Sequence, residues 1–195
     1  MKTIAVFLAD GFEEIEALNP VDFCRRAGLN VIMVQVPSKT TKEKYLVVSA
    51  HNVKIIADLT LEEFFEEYRG TFPDCCVLPG GLNGAKNLAS CKELLKYLET
   101  SHLSGHFIAA ICAAPALVLG KTRILKEKYW TCYPGMEVET KIEYMHNYKE
   151  IPFLTDGNLT TARGPGAAEQ FALELVRIFA GPDKAADIKK SSLLR

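Results

Sequence analysis

The sequence predicts an α/β fold: a single domain with a mainly parallel sheet sandwiched by helices. Three observations carry this. Four short, nearly continuous apolar runs rich in Val and Ile cover residues 3–9 (TIAVFLA), 30–36 (NVIMVQV), 74–78 (DCCVL) and 106–111 (HFIAAI). Runs of this kind suit strands buried on both faces, as in a parallel sheet. Amphipathic stretches lie between them, and no Ser/Gly linker, low-complexity tract or internal repeat divides the 195 residues, a length that suits one well-packed domain.

The helices announce themselves by their ends. Thr60-Leu61-Glu62-Glu63 is a capping box, Leu61, Phe64, Phe65 and Tyr68 form an apolar face, and Gly70 is a stop. Residues 92–101 read as a second helix. Residues 167–180 read as a third, closed by Gly181 and Pro182. Two hairpins interrupt the pattern: 46–50 with 53–56 around His51-Asn52, and 151–155 with 158–162 around the tight-turn pair Asp156-Gly157.

Composition excludes several functions. The apolar fraction is 48%, the charged fraction 24% and the formal net charge -1, so nothing favours nucleic acid or an anionic membrane surface. The apolar run after Lys2 ends at Asp10, short of the about 7–15 residues of a secretory signal. No stretch approaches the ~20 apolar residues of a membrane span. A cytoplasmic protein is expected. The six cysteines (24, 75, 76, 91, 112, 132) contain no C-x-x-C pair and no zinc spacing, so no metal is expected and free thiols are. No G-x-G-x-x-G or P-loop pattern suggests a nucleotide cofactor.

In a parallel sheet, ligands gather at the carboxyl ends of the strands. Here those ends carry Asp10-Gly11 leading to Glu16, then Pro79-Gly80-Gly81, then Cys112. A free cysteine is usually a small core residue. Cys112, however, stands between an apolar strand and Ala113-Ala114-Pro115-Ala116, which opens a helix. That is the setting of a nucleophile elbow, although G-x-S-x-G itself is absent. The positive end of the helix is expected to favour thiolate. Backbone N–H groups of the double glycine and Ala113 are placed to hold an oxyanion. Glu13, Glu14 and Glu16 read equally well as a solvated first turn, and the residues alone do not choose among them.

Four blocks then resemble one family: ADGFEEIEALNPVD at 9–22, LPGG at 78–81, AAICAAP around Cys112 and ARGPG at 162–166. They resemble the DJ-1/ThiJ/PfpI superfamily, nearest its DJ-1 branch, over almost the whole chain. The resemblance implies a flavodoxin-like, class I glutamine amidotransferase-like fold across residues 1–195. It implies Cys112 as nucleophile, Glu16 as its acidic partner, and Gly80, Gly81 and Ala113 as backbone donors. Two adjacent anions repel, so the pair is expected to keep one proton.

Departures narrow the function. Where DJ-1 relatives carry a histidine before a proline, this chain has Tyr133-Pro134. Ala113 stands where the protease-like branch has histidine, and no histidine is followed by glutamate two positions on, as glutamine amidotransferases require. His106 lies at the far end of the Cys112 strand, about 20 Å away at roughly 3.3 Å per residue. The expectation is a cofactor-free thiol enzyme for small reactive carbonyls, of the glyoxalase III or deglycase kind, that converts methylglyoxal to lactate. The alternative is a redox-sensing stress protein or chaperone whose Cys112 is oxidised to sulfinate. Relatives imply a homodimer, for which Leu18, Val21, Phe23 and the 46–56 hairpin are the expected surface.

Overall fold

A computed structural model of the chain describes residues 1–38 and 40–194. In chain order the elements begin with β1 (Thr3–Leu8), α1 (Glu14–Arg26), β2 (Asn30–Gln35), β3 (Leu46–Val48), β4 (Lys54–Ile56), β5 (Leu59–Thr60) and α2 (Leu61–Glu67). They continue with β6 (Cys75–Leu78), α3 (Leu82–Ser90), α4 (Lys92–Leu103), β7 (Phe107–Ile111), α5 (Ala114–Leu117) and α6 (Ile142–Met145). The last are β8 (Phe153–Asp156), β9 (Leu159–Ala162), α7 (Ala168–Ala180) and α8 (Pro182–Ser191).

The apolar runs form the middle of a seven-stranded sheet ordered β5-β2-β1-β6-β7-β9-β8, with β3 and β4 paired separately. Every pairing in the large sheet is parallel except β8 with β9. Ile4 to Leu8 and Ile108 to Ile111 have no exposed surface, as strands covered by helices on both faces require. The capping box at Thr60 forms: its side chain accepts from the Glu63 amide, and Glu63 accepts from the Thr60 amide. The second hairpin delivers more than a hairpin. Its return strand β9 joins the main sheet beside β7, so Ala162 lies opposite Ile111, next to Cys112.

The third helix closes at Gly181, φ 93°, as expected, and Pro182 opens a further helix, α8, because proline is tolerated at a first helical position. The expected two-fold surface is corrected. Val21 and Phe23 are buried within the chain, where α1 packs along α7, so neither belongs to a free surface. Ile15, Val53 and Ile56 are the exposed apolar residues on α1 and the hairpin. Among the described residues no helix is long and apolar enough to cross a membrane.

Candidate active site

The chain turns sharply after β7, and Cys112 takes the strain with φ 63°. A left-handed conformation is uncommon for a residue with a side chain and costs of order 1–3 kcal/mol. Two backbone bonds hold it: the Cys112 amide donates to Ala162 O at 2.9 Å, and the Tyr133 amide donates to Cys112 O at 2.9 Å. The side chain is nearly buried, at 9% exposure. The Gly81 and Ala113 amides donate toward its sulfur.

Glu16 approaches from α1 and is wholly buried. Its Oε2 accepts from the Gly80 amide at 2.8 Å. Oε1 is buried without an aligned hydrogen-bond partner. The Cys112 thiol lies in side-chain hydrogen-bonding contact with the same carboxyl. Gly80 is the hinge of the arrangement, since a Cβ there would sit 2.5 Å from Cys112 Cβ and 2.6 Å from Glu16 Oε2. The amide of Gly80, expected to serve a substrate oxygen, is thus spent on Glu16. Gly81 and Ala113 remain as the donors at the sulfur.

The ambiguity among the three glutamates is resolved by what each touches. Glu13 caps α1, its Oε2 accepting from the Glu16 amide at 2.8 Å. Glu14 reaches the hairpin turn instead. It accepts from the Ser49 hydroxyl and the His51 amide, and its Oε2 lies 2.8 Å from His51 Nδ1. Neither is the solvated decoration that a first-turn acid usually is. Sequence reasoning also missed Asp10, whose carboxylate gathers the Ser38 and Thr40 hydroxyls and the Thr41 and Val48 amides. It pins the loop that follows β2 to the end of β1, and the only signal for it was a polar residue ending an apolar run.

Electrostatics correct the expected low thiol pKa. Burial pushes the Glu16 carboxyl up to about 7, the charge of Glu13 adds to this, and the contacts with Cys112 and Gly80 oppose it. Burial and then the Glu16 charge push the Cys112 thiol up to about 12, against the pull of the Gly81 and Ala113 amides. The helix after Cys112 is a single turn, Ala114–Leu117, so little macrodipole is available to offset this. Near neutral pH the pair therefore carries at most one negative charge.

None of the four histidines is a hydrogen-bond partner of Cys112 among the described residues: His51 is held by Glu14, and His106 Nδ1 lies 3.1 Å from Pro73 O at the other edge of the sheet. Tyr133 is half exposed, and its ring packs beside Gly164. Glu13, Glu14 and His51 bring ligand atoms within 4.8 Å of one another, with Glu13 Oε2, both Glu14 oxygens and His51 Nδ1 engaged in the contacts described.

Comparisons with known proteins place the chain in a family. The DJ-1/PfpI family model matches residues 2–178. The chain belongs to the DJ-1/PfpI family. Within it, the chain is 37% identical over 191 residues to Protein DJ-1 homolog B of Arabidopsis thaliana, covering 98% of this chain and 41% of that protein. It therefore spans less than half the length of that plant relative. It is 34% identical to Protein dj-1beta of Drosophila melanogaster, covering 99% of this chain and 97% of that one. It is 30% identical over 178 residues to the Glutathione-independent glyoxalase DJR-1.2 of Caenorhabditis elegans, covering 91% and 88%. The solved structure of oxidized Toxoplasma gondii DJ-1 superposes with a TM-score of 0.88 at 28% identity, covering 99% and 98%. These relatives support the DJ-1 branch.

Proposed function

We propose that the protein is a cofactor-free thiol enzyme for small reactive carbonyls, with methylglyoxal as the model substrate and lactate as product. The observation that carries this reading is the buried Glu16 carboxyl, with a pKa raised to about 7, in contact with the Cys112 thiol. A general base serves best when its pKa lies near the working pH, and a thiol needs such a base to become a nucleophile.

As the sulfur adds to the aldehyde carbon, Glu16 takes the thiol proton. The oxygen becomes an alkoxide facing the Gly81 and Ala113 amides, and Glu16 returns the proton to give a hemithioacetal. Glu16 next carries a proton from the aldehyde carbon to the neighbouring carbonyl carbon by way of an enediol. This leaves a 2-hydroxy thioester on Cys112. Water attacks the thioester, releases the hydroxy acid and restores the thiol. Methylglyoxal plus water equals lactic acid, so no external oxidant or reductant is consumed. The nematode relative named as a glutathione-independent glyoxalase supports this chemistry.

Incubation with methylglyoxal in the absence of glutathione tests the reading. Lactate should appear with the wild-type chain and vanish with Cys112→Ser. Absence of lactate, together with clean conversion of Cys112 to sulfinate by mild peroxide, would favour a redox sensor; the oxidized state of the Toxoplasma relative is what supports that second reading. A homodimer in the cytoplasm belongs to the same proposal, with exposed Ile15, Val53 and Ile56 at its interface. Light scattering that gives the mass of a single chain would count against the dimer.

A further inference from the structure

A concavity lined by four aromatic rings lies away from Cys112. The end of α2, the segment Gly70-Thr71-Phe72 and α4 enclose a cleft of about 320 Å³, within the usual range for small-molecule sites. Phe72 leads into the amino end of β6 and packs on His106 at the start of β7, ring centroids 5.3 Å apart. The cleft therefore opens at the sheet edge opposite the one that carries Cys112 and Glu16.

Its walls are Phe65, Tyr68, Phe72 and Tyr97, all half-buried. Tyr97 is the centre, with its ring 5.2 Å from Phe65 and 5.1 Å from Phe72, tilted by 45° and 51°. Rings splayed in this way leave faces and edges open to a further flat ring. The Tyr97 hydroxyl is shut from solvent and has no hydrogen-bond partner. A buried hydroxyl left unmatched is costly, and a ligand oxygen that reached it would satisfy it.

The charged side chains that line the cleft are of one sign. Arg69 and Lys96 are the only charged residues that line it, and neither takes part in an ion pair among the described residues. We infer that this cleft is a second ligand site, one that takes a flat aromatic carboxylate with its ring among Phe65, Phe72 and Tyr97 and its carboxylate between Arg69 and Lys96. Guanidinium suits this role, because its planar fork matches a carboxylate.

The probe is 2-naphthoate, titrated into the full chain by calorimetry and followed by backbone amide NMR. One molecule should bind, with shifts confined to α2, residues 70–72 and α4. Neutral 2-naphthamide should bind roughly fivefold more weakly, since an exposed ion pair contributes about 1 kcal/mol. The double variant Arg69→Gln, Lys96→Gln should lower naphthoate to the naphthamide level and leave naphthamide unchanged. Phe65→Ala should weaken both ligands, and all variants should keep the wild-type alkylation rate of Cys112, which also reports that the fold is intact. No binding at millimolar naphthoate, equal affinity for acid and amide, or shifts centred on Cys112 would each overturn the assignment.

Discussion

Gly80 and Cys112 are packed so closely that a single methyl group does not fit between them. A Cβ on Gly80 would lie 2.5 Å from Cys112 Cβ and 3.0 Å from its sulfur, while the Gly80 amide holds Glu16 Oε2 at 2.8 Å. One glycine thus sets the distance between the thiol and its base. Gly80→Ala should cost about 1–3 kcal/mol of stability, as overpacking does, and should abolish carbonyl turnover by pushing sulfur and carboxyl apart. Gly166→Ala is the control, because a Cβ there meets nothing within 4 Å. Thermal unfolding and lactate release read both effects, and equal behaviour of the two variants would show that the close approach is irrelevant.

Glu16 makes a prediction about pH with a definite sign. Its folded pKa is raised to about 7 from 4.5, so between those values the folded chain holds a proton that the unfolded chain has lost. Stability should fall as pH rises through this window, by on the order of 3 kcal/mol in total. Turnover should do the opposite and rise with an inflection near 7, as Glu16 becomes the base. Glu16→Gln should flatten the stability profile and lower the rate by about 10²–10⁴. Glu13→Gln should keep the shape of both profiles but move them to lower pH, because the Glu13 charge helps raise the Glu16 pKa, and should lose only part of the α1 cap, at most about 2 kcal/mol.

Much of this could be read from residues, and what could not has local causes. The strands of the sheet centre were legible because Val, Ile and Ala fill both faces of buried strands. Helix α3 was hidden, since LNGAKNLAS carries a glycine and two asparagines, poor helix formers. The structure gives the reason for Gly84: a Cβ there would meet Phe12 Cα at 2.6 Å. Helix α8 was hidden behind a Gly-Pro pair that also ends α7. Cys112 was legible as a turn residue, but not its positive φ. The choice of Glu16 over Glu13 and Glu14 needed family resemblance, because glutamate is not among the preferred caps and its long side chain can reach in several directions.

The thiol pKa was expected low and is instead high, which separates reactivity from catalysis. The Glu16 charge is among the causes that push Cys112 up to about 12. Removing that charge in Glu16→Gln should lower the thiol pKa and speed iodoacetamide labelling of Cys112 at pH 8, by on the order of tenfold per unit of pKa. The same variant should lose turnover. Peptide mapping should find label on Cys112 and on half-exposed Cys91, and none on Cys24, Cys75, Cys76 or Cys132, which have no exposed surface. Slower labelling of Glu16→Gln would mean that Glu16 activates the sulfur at rest rather than during attack.

The hairpin should respond to pH through Glu14 and His51. Glu14 opens the same helix α1 that presents Glu16, and it holds the β3–β4 turn through the Ser49 hydroxyl, the His51 amide and His51 Nδ1. The Glu14 hydrogen bond and charge raise the His51 pKa above 6.5. For Glu14, burial opposes ionisation, but the Ser49 and His51 contacts outweigh it and lower the pKa to about 2. The ion pair therefore has two edges. It is fully formed below the unfolded histidine value and lost as pH rises through the raised one. It is also present above the unfolded carboxyl value of 4.5 and lost as pH falls toward 2. Between these edges the amides of residues 49–53 should exchange with solvent most slowly, and exchange should quicken on both sides. His51→Gln should remove the upper edge only, since the Ser49 hydroxyl and the residue 51 amide still bind Glu14. Because His51 is largely exposed, the effect belongs to local opening of the hairpin and not to global unfolding. Hydrogen exchange at residues 49–53 that ignores pH in the wild type, while other loops follow the ordinary base-catalysed trend, would show that the Glu14–His51 contact holds nothing in place.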